Sequence, residues 1–195
     1  PYCTSFFARL QLILKKQKQI KTIVIASCFN CYFIEESLPN SKYNYYYENN
    51  GTKSYFRNNE GHEDAFLSLK KFLLKLSLDK KVILIGDNPS SSSFDPRVMM
   101  EYIFRGESKS FFSKYPDFSA NNFKPSSKVI DLNNKLFNLV DDRITFFNLL
   151  EMVCPNSLCE SQNTKGAPYY KDNNHMRPFF VDLKFKDSLI ELIAK

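Results

Sequence analysis

Apolar positions along this chain fall into two periods, and the periods alternate. Helical spacing marks residues 4–18, where Phe7, Leu10, Ile13 and Leu14 recur on one side. It returns over residues 63–78, with Leu69, Phe72, Leu73 and Leu76 on one face, and over 127–142, with Val129, Leu132, Leu136, Leu139 and Val140 inward. A short helix is expected over 98–105 and a closing helix over 178–194. Between them stand short β-branched runs, Ile20-Lys-Thr-Ile-Val-Ile-Ala-Ser27, Lys81-Val-Ile-Leu-Ile-Gly86 and Ile144-Thr-Phe-Phe-Asn-Leu149. Continuous apolar runs of this kind suit strands buried on both faces. Helix–strand–helix–strand–helix–strand–loop–helix predicts an α/β fold, a three-layer α/β/α sandwich around a mainly parallel sheet. The central strands should include 22–27, 82–86 and 144–149, with helices near 5–17, 64–78, 128–141 and 179–193.

Three stretches break the alternation. Residues 35–61 form a polar, Tyr- and Asn-rich insertion. Its Tyr43-Asn-Tyr-Tyr-Tyr47 run reads as a strand or loop of an elaborated lid, with a sugar-stacking or partner surface as the functional alternative. Asn50-Gly51-Thr52 fits a glycosylation sequon, a pattern common by chance. Asp87-Asn-Pro-Ser-Ser-Ser-Ser-Phe94 is a long Pro/Ser loop leaving the second strand. Residues 106–125 look irregular.

A length of 195 residues fits one domain, and 43% hydrophobic with 25% charged residues is a globular balance that can bury a core. No apolar run reaches the roughly 18 residues a membrane helix needs, and no signal peptide is visible. A chain that opens at Pro1 and runs straight into Tyr2-Cys3-Thr4 reads as cut from something longer. The net charge of +6 raises nucleic acid as a partner. The lysines are scattered, however, and their clusters (Lys15-Lys16, Lys70-Lys71, Lys80-Lys81) fall on or beside helices. A solvated surface, not a nucleic-acid face, is expected.

Five cysteines make an odd set. Cys154 and Cys159 bracket a short loop with a turn-forming Pro155-Asn156, which suits a local disulfide and an oxidising compartment; the alternative is two free thiols. Cys28-Phe-Asn-Cys31 is a C-x-x-C, but one pair cannot supply four zinc ligands. Nothing beside it in sequence resembles a thioredoxin-like site, so no redox role is expected of it. Cys3 has no evident partner.

Only two histidines occur. His62, in Glu60-Gly-His-Glu-Asp64, reads as an exposed residue at a helix start, where acidic neighbours complement the dipole, and not as a metal ligand. The second lies in Tyr169-Tyr-Lys-Asp-Asn-Asn-His175-Met176. Imidazole titrates near neutrality and suits proton shuttling, and a base of this kind needs a carboxylate to orient it. Asp172 and His175, three apart on one polar loop, can meet side by side.

From Phe147-Asn-Leu-Leu-Glu-Met-Val-Cys-Pro-Asn-Ser-Leu-Cys159 through Gly166-Ala-Pro-Tyr-Tyr-Lys-Asp-Asn-Asn-His175, the tail resembles the end of an SGNH-type esterase/acyltransferase domain. The likeness is to the SGNH domains fused behind acyltransferase-3 membrane domains in bacteria. There a strand leads into a Cys…Cys loop, then a tyrosine-containing D-x-x-H, then a final helix. The segment Thr22–Phe33 and the strand-plus-proline loop from Lys81 extend the likeness upstream. Where the family usually continues Leu-Ser with a small-residue turn, this chain has Met176-Arg177-Pro178-Phe179.

The resemblance implies an SGNH hydrolase-like, flavodoxin-like fold lacking its N-terminal part, with residues 1–195 as one such domain. The family's Asp and His fall on Asp172 and His175. Its nucleophilic Gly-Asp-Ser has no counterpart here. Gly86-Asp87-Asn88 carries Asn where the nucleophile belongs, and it occupies the later proline-loop position. Asn30 is a positional match for an oxyanion donor and no more. The implied activity is transfer of an acyl group, acetyl by preference, to a cell-surface glycan through a Ser-His-Asp mechanism. No metal or organic cofactor is implied. The acyl donor would arrive from a membrane acyltransferase domain, and the location would be extracytoplasmic (periplasmic), tethered to the inner membrane. A related carbohydrate esterase would differ only in using water as acceptor. The other alternative is an inactive truncated remnant or a non-catalytic glycan-binding module. On the enzyme reading, Asp172 and His175 should pair at the C-terminal ends of the strands, facing a cleft with no serine at its floor.

Overall fold

The computed structural model describes residues 2–34, 46–55, 61–105 and 122–194. In chain order it runs α1 (Tyr2–Lys16), β1 (Thr22–Ile25), α2 (Phe29–Phe33), β2 (Tyr46–Asn49), β3 (Thr52–Tyr55), α3 (His62–Leu76), β4 (Lys81–Ile85), α4 (Pro96–Arg105), β5 (Asn122–Phe123), α5 (Ser127–Phe137), β6 (Ile144–Phe147), α6 (Leu149–Val153), β7 (Cys159–Glu160) and α7 (Pro178–Ala194). Three of the strands form the central sheet, in the order β1-β4-β6. All pairings in it are parallel, with Val24 opposite Ile83 and Ile83 opposite Thr145. Helices cover both sides, so the α/β sandwich expected from the alternation is the fold observed.

The pleat of β4 divides the interior in two. Val82 and Leu84 turn to one side, where they meet Leu14 of α1, Leu73 of α3 and Leu132 and Leu136 of α5. Ile83 turns to the other, against Phe147, Tyr170, Phe180 and Phe185. All three β4 side chains are fully buried. Each contributes on the order of 1.5–3 kcal/mol by leaving water. The edge strand is treated differently. Ile23 and Ile25 pack on the first core. Val24, beside Ile83 in the ladder, stays 40% exposed. The α7 layer therefore covers β4 and β6 but leaves the same face of β1 open.

The described part of the 35–61 insertion is an antiparallel hairpin, β2 with β3. Its turn is Asn50-Gly51, with φ of 49° and 80°. Two positive φ values give the turn whose twist matches that of paired strands. The hairpin sits on the start of α3. A Cβ on Gly61 would fall 2.8 Å from the Ser54 carbonyl oxygen. Tyr43, Asn44 and Tyr45 lie outside the described residues, as do most positions of the 106–125 stretch.

His62 departs from expectation. It is buried, not exposed. Its ring stands edge-on to Phe33 at 5.1 Å, and Phe33 stacks on Phe66 at 4.5 Å. Packing of α2 against the first turn of α3 outweighs the pull of its acidic neighbours toward solvent.

Beyond β6, the chain caps α6 with Asn148, whose side chain accepts from Glu151 N. It then closes the Cys154–Cys159 disulfide, a bridge whose two halves both lie in the second core. Strand β7 pairs with β5. Alanine at Ile83 should cost about 2–5 kcal/mol in denaturant unfolding, the range for truncating a filled core position. Alanine at Val24 should cost less than about 1 kcal/mol. Equal losses would mean that the face over β1 is covered.

Candidate active site

Parallel strands all end on the same side of a sheet, so the loops that follow them converge there. Ala26, Ser27 and Cys28 leave β1, Gly86, Asp87 and Asn88 leave β4, and Leu149 opens α6 after β6. Together with Asn174 and His175 they wall a cleft of about 290 Å³. β1 and β6 each end two residues short of the expected 27 and 149, and Ser27 and Leu149 line the cleft instead of extending the ladder.

The 171–176 loop closes on itself. Lys171 N donates to the His175 carbonyl at 2.7 Å, and Tyr170 bridges Met176. Inside it, Asp172 Oδ1 accepts from Asn174 N at 3.1 Å and His175 N at 2.8 Å. An aspartate that bonds its own downstream backbone fixes a tight turn. The His175 ring then lies against the same carboxylate, with Nδ1 at 2.9 Å from Oδ1 and 2.8 Å from Oδ2. Partial burial pushes the Asp172 carboxyl up. The backbone amides of His175 and Asn174 and the His175 ring outweigh that, and hold it below the ordinary carboxylate range. An ionised Asp172 selects the tautomer with the proton on Nδ1, which leaves Nε2 with a lone pair. His175 is largely exposed and belongs to the cleft wall.

The β4 exit loop cradles that turn. Asn88 Nδ2 donates to the Asn174 carbonyl at 2.5 Å, and Ser91 N donates to the Asn173 carbonyl at 2.9 Å. Phe94 stacks on the buried Tyr170 ring at 4.1 Å. The four serines are loop scaffolding: the Ser91 side chain accepts from Ser93 N at 3.2 Å to cap the turn Ser92–Phe94, and none of Ser90–Ser93 lines the cleft.

Gly86, Asp87 and Asn88, which carry Asn where a nucleophilic serine would belong, all stand in the cleft wall. Asp87 is almost fully buried. Its N–H donates to Asn133 Oδ1 at 2.9 Å, while Asn133 Nδ2 donates to the Val129 carbonyl at 3.0 Å. Its carboxylate accepts from the backbone amides of Asn30 and Asn88. Burial raises the Asp87 pKa to about 6, against the opposing pull of those two amides. Gly86 is required by close approach. A Cβ there would fall 2.6 Å from Asn133 Oδ1 and 2.8 Å from the Phe146 ring. The available signal was an acidic residue directly at the exit of a buried strand.

Asn30, the positional match for an oxyanion donor, is committed elsewhere. Its N–H goes to Asp87 and its Nδ2 to the Asn88 carbonyl at 3.0 Å. It ties α2 to the β4 exit and is not part of the cleft wall. Ser27, exposed just past the end of β1, lines the cleft and is the one hydroxyl-bearing side chain among the described residues of that wall.

Asp87 makes stability depend on pH. Its folded pKa of about 6 stands above the ordinary 3.8, so the fold favours the protonated form. That contribution is full below about pH 4 and is lost as pH rises through 6, at most ~3 kcal/mol in all. Asp87→Asn has no such proton to lose. The stability of this variant relative to the parent should therefore climb between pH 4 and pH 7, by up to ~3 kcal/mol in urea unfolding. A difference that stays flat with pH would contradict a buried, titrating carboxyl.

Among curated proteins and among solved structures, none matches this chain. A family model does: that of the SGNH domain fused to AT3 domains, over residues 1–183. The match takes in the whole sheet, the cleft loops, the Asp172/His175 turn and the first part of α7. The chain belongs to the family of SGNH domains that are fused to AT3 domains.

Proposed function

We propose that this chain is the SGNH part of a bacterial O-acyltransferase, which moves an acyl group, acetyl by preference, onto a cell-surface glycan. The observation that carries the reading is the Asp172–His175 pair on the wall of the cleft at the strand ends. In it, His175 Nε2 takes the proton from a serine hydroxyl as that oxygen attacks the acyl carbonyl. Asp172 holds the ring and stabilises the imidazolium that forms. His175 returns the proton to the leaving group. It then deprotonates a sugar hydroxyl, which attacks the acyl-serine and releases the serine. Donors around the cleft would stabilise the tetrahedral oxyanion. No metal or organic cofactor is needed.

No Gly-Asp-Ser occurs in these 195 residues. On this reading the serine comes from chain outside them. The outer edge of β1, unpaired among the described residues, is where a further strand would bring it to the cleft. The AT3 part would deliver the acyl donor and anchor the assembly at the membrane. Among the described residues no helix is long and apolar enough to cross one. Two disulfides support an extracytoplasmic location.

Ser27 favours a second reading, in which the chain supplies its own hydroxyl and water is the acceptor, as in a carbohydrate esterase. Hydrolysis of p-nitrophenyl acetate separates the two. Residues 1–195 alone should show negligible turnover. Joining a segment with Gly-Asp-Ser should restore it, and His175→Ala should then lower kcat on the order of 10⁴-fold. Turnover by the isolated chain that disappears in Ser27→Ala would establish the second reading instead. A restored chain indifferent to His175→Ala would remove the base from the mechanism. Failure to restore any turnover would favour the inactive remnant or glycan-binding module.

A further inference from the structure

The two disulfides of this chain sit in opposite surroundings. Cys154 and Cys159 are 4% and 0% exposed within the second core. Cys28 and Cys31 are bonded across a C-x-x-C, both half-exposed, and Cys28 is part of the cleft wall. A buried bridge is closed to an attacking thiol. One that faces an open cleft is not.

The segment between the sulfurs is held without them. Phe29 and Asn30 are buried. The Asn30 N–H is bonded to the Asp87 carboxylate and its Nδ2 to the Asn88 carbonyl, while Cys31 N donates to the Cys28 carbonyl at 3.1 Å. Opening the S–S bond would break none of these. The two thiols would stay where the disulfide had them, ready to close again. A staple that holds loose chain together lacks that property, and a dithiol centre that cycles requires it.

We infer that Cys28–Cys31 is an exchange-active disulfide, open through the cleft to a dithiol of a partner protein. In the forward direction a partner thiolate attacks Cys28 Sγ. The Cys28–Cys31 bond breaks as the mixed disulfide forms, and Cys31 leaves with the electron pair and takes up a proton. The partner's second thiolate then attacks its own bridged sulfur, closes the partner's disulfide and releases Cys28, which takes up the second proton. The partner is oxidised by two electrons and Cys28–Cys31 reduced by two. The two protons of the dithiol end on the two cysteines. This centre uses neither Asp172 nor His175, so it stands or falls independently of the acyl-transfer reading.

The test uses the whole chain with Cys3→Ser, which leaves only the paired cysteines. Native protein at pH 7 is titrated with dithiothreitol, quenched with N-ethylmaleimide and read by peptide mass. Cys28–Cys31 should be reduced at least about tenfold faster than Cys154–Cys159. The far-ultraviolet circular dichroism should not change, and oxidised glutathione should restore the bond. Reduction of both pairs together, or loss of helical signal as Cys28–Cys31 opens, would overturn the inference. Adding Cys31→Ser leaves Cys28 alone, and oxidised glutathione should then form a mixed disulfide with the folded protein. A folded Cys31→Ser protein that takes up no glutathione would also overturn it.

Discussion

A single buried carboxyl, Asp87, joins three parts of this molecule that are far apart in sequence. It receives the amide of Asn30 at the start of α2 and that of Asn88 at its own loop. Through its own N–H it reaches Asn133 on α5. A charge in such a place is costly unless it is hydrogen-bonded, so the site enforces one arrangement of all three segments. That arrangement fixes the exits of β1 and β4. The exit of β4 in turn holds the loop that carries Asp172 and His175. Gly86 is a glycine for the same reason, because Asn133 occupies the space where a Cβ would go.

The scaffold could be read because its signals are periodic. Val129, Leu132 and Leu136 of α5 at helical spacing, or Val-Ile-Leu-Ile in β4, report burial through repetition. The Asp172/His175 pair could also be read, because three-residue spacing on a turn brings two side chains together without help from the fold. What stayed hidden depends on contacts across the chain. Asp87 looks like any acidic loop residue until α2 and α5 close over it. His62 has acidic neighbours that argue for solvent, and only the packing of Phe33 decides otherwise. Ser27 enters the cleft because the parallel sheet brings the ends of β1 and β4 together. Asn50-Gly51 is a different case. The dipeptide is a strong local hairpin signal that a sequon reading passed over.

The two cores divide the labour. The first, under α1, α3 and α5, is aliphatic in its centre and carries the sheet. The second is aromatic, with Tyr169 stacked on Phe180 at 4.0 Å and Tyr170 on Phe94. Those two tyrosines immediately precede the Asp172 turn. Large flat side chains with few rotatable bonds lose little entropy on burial, and they pin the approach to the turn. The Cys154–Cys159 bridge belongs to the same core.

The grip on the Asp172/His175 turn falls on main-chain oxygens. Asn88 and Ser91 hold the carbonyls of Asn174 and Asn173, and a carbonyl is something every amino acid supplies. The position of the imidazole is thereby insulated from the identity of the two residues before it. The lip of the cleft can drift in size and polarity over evolutionary time, while the Asp172–His175 pair behind it keeps its geometry.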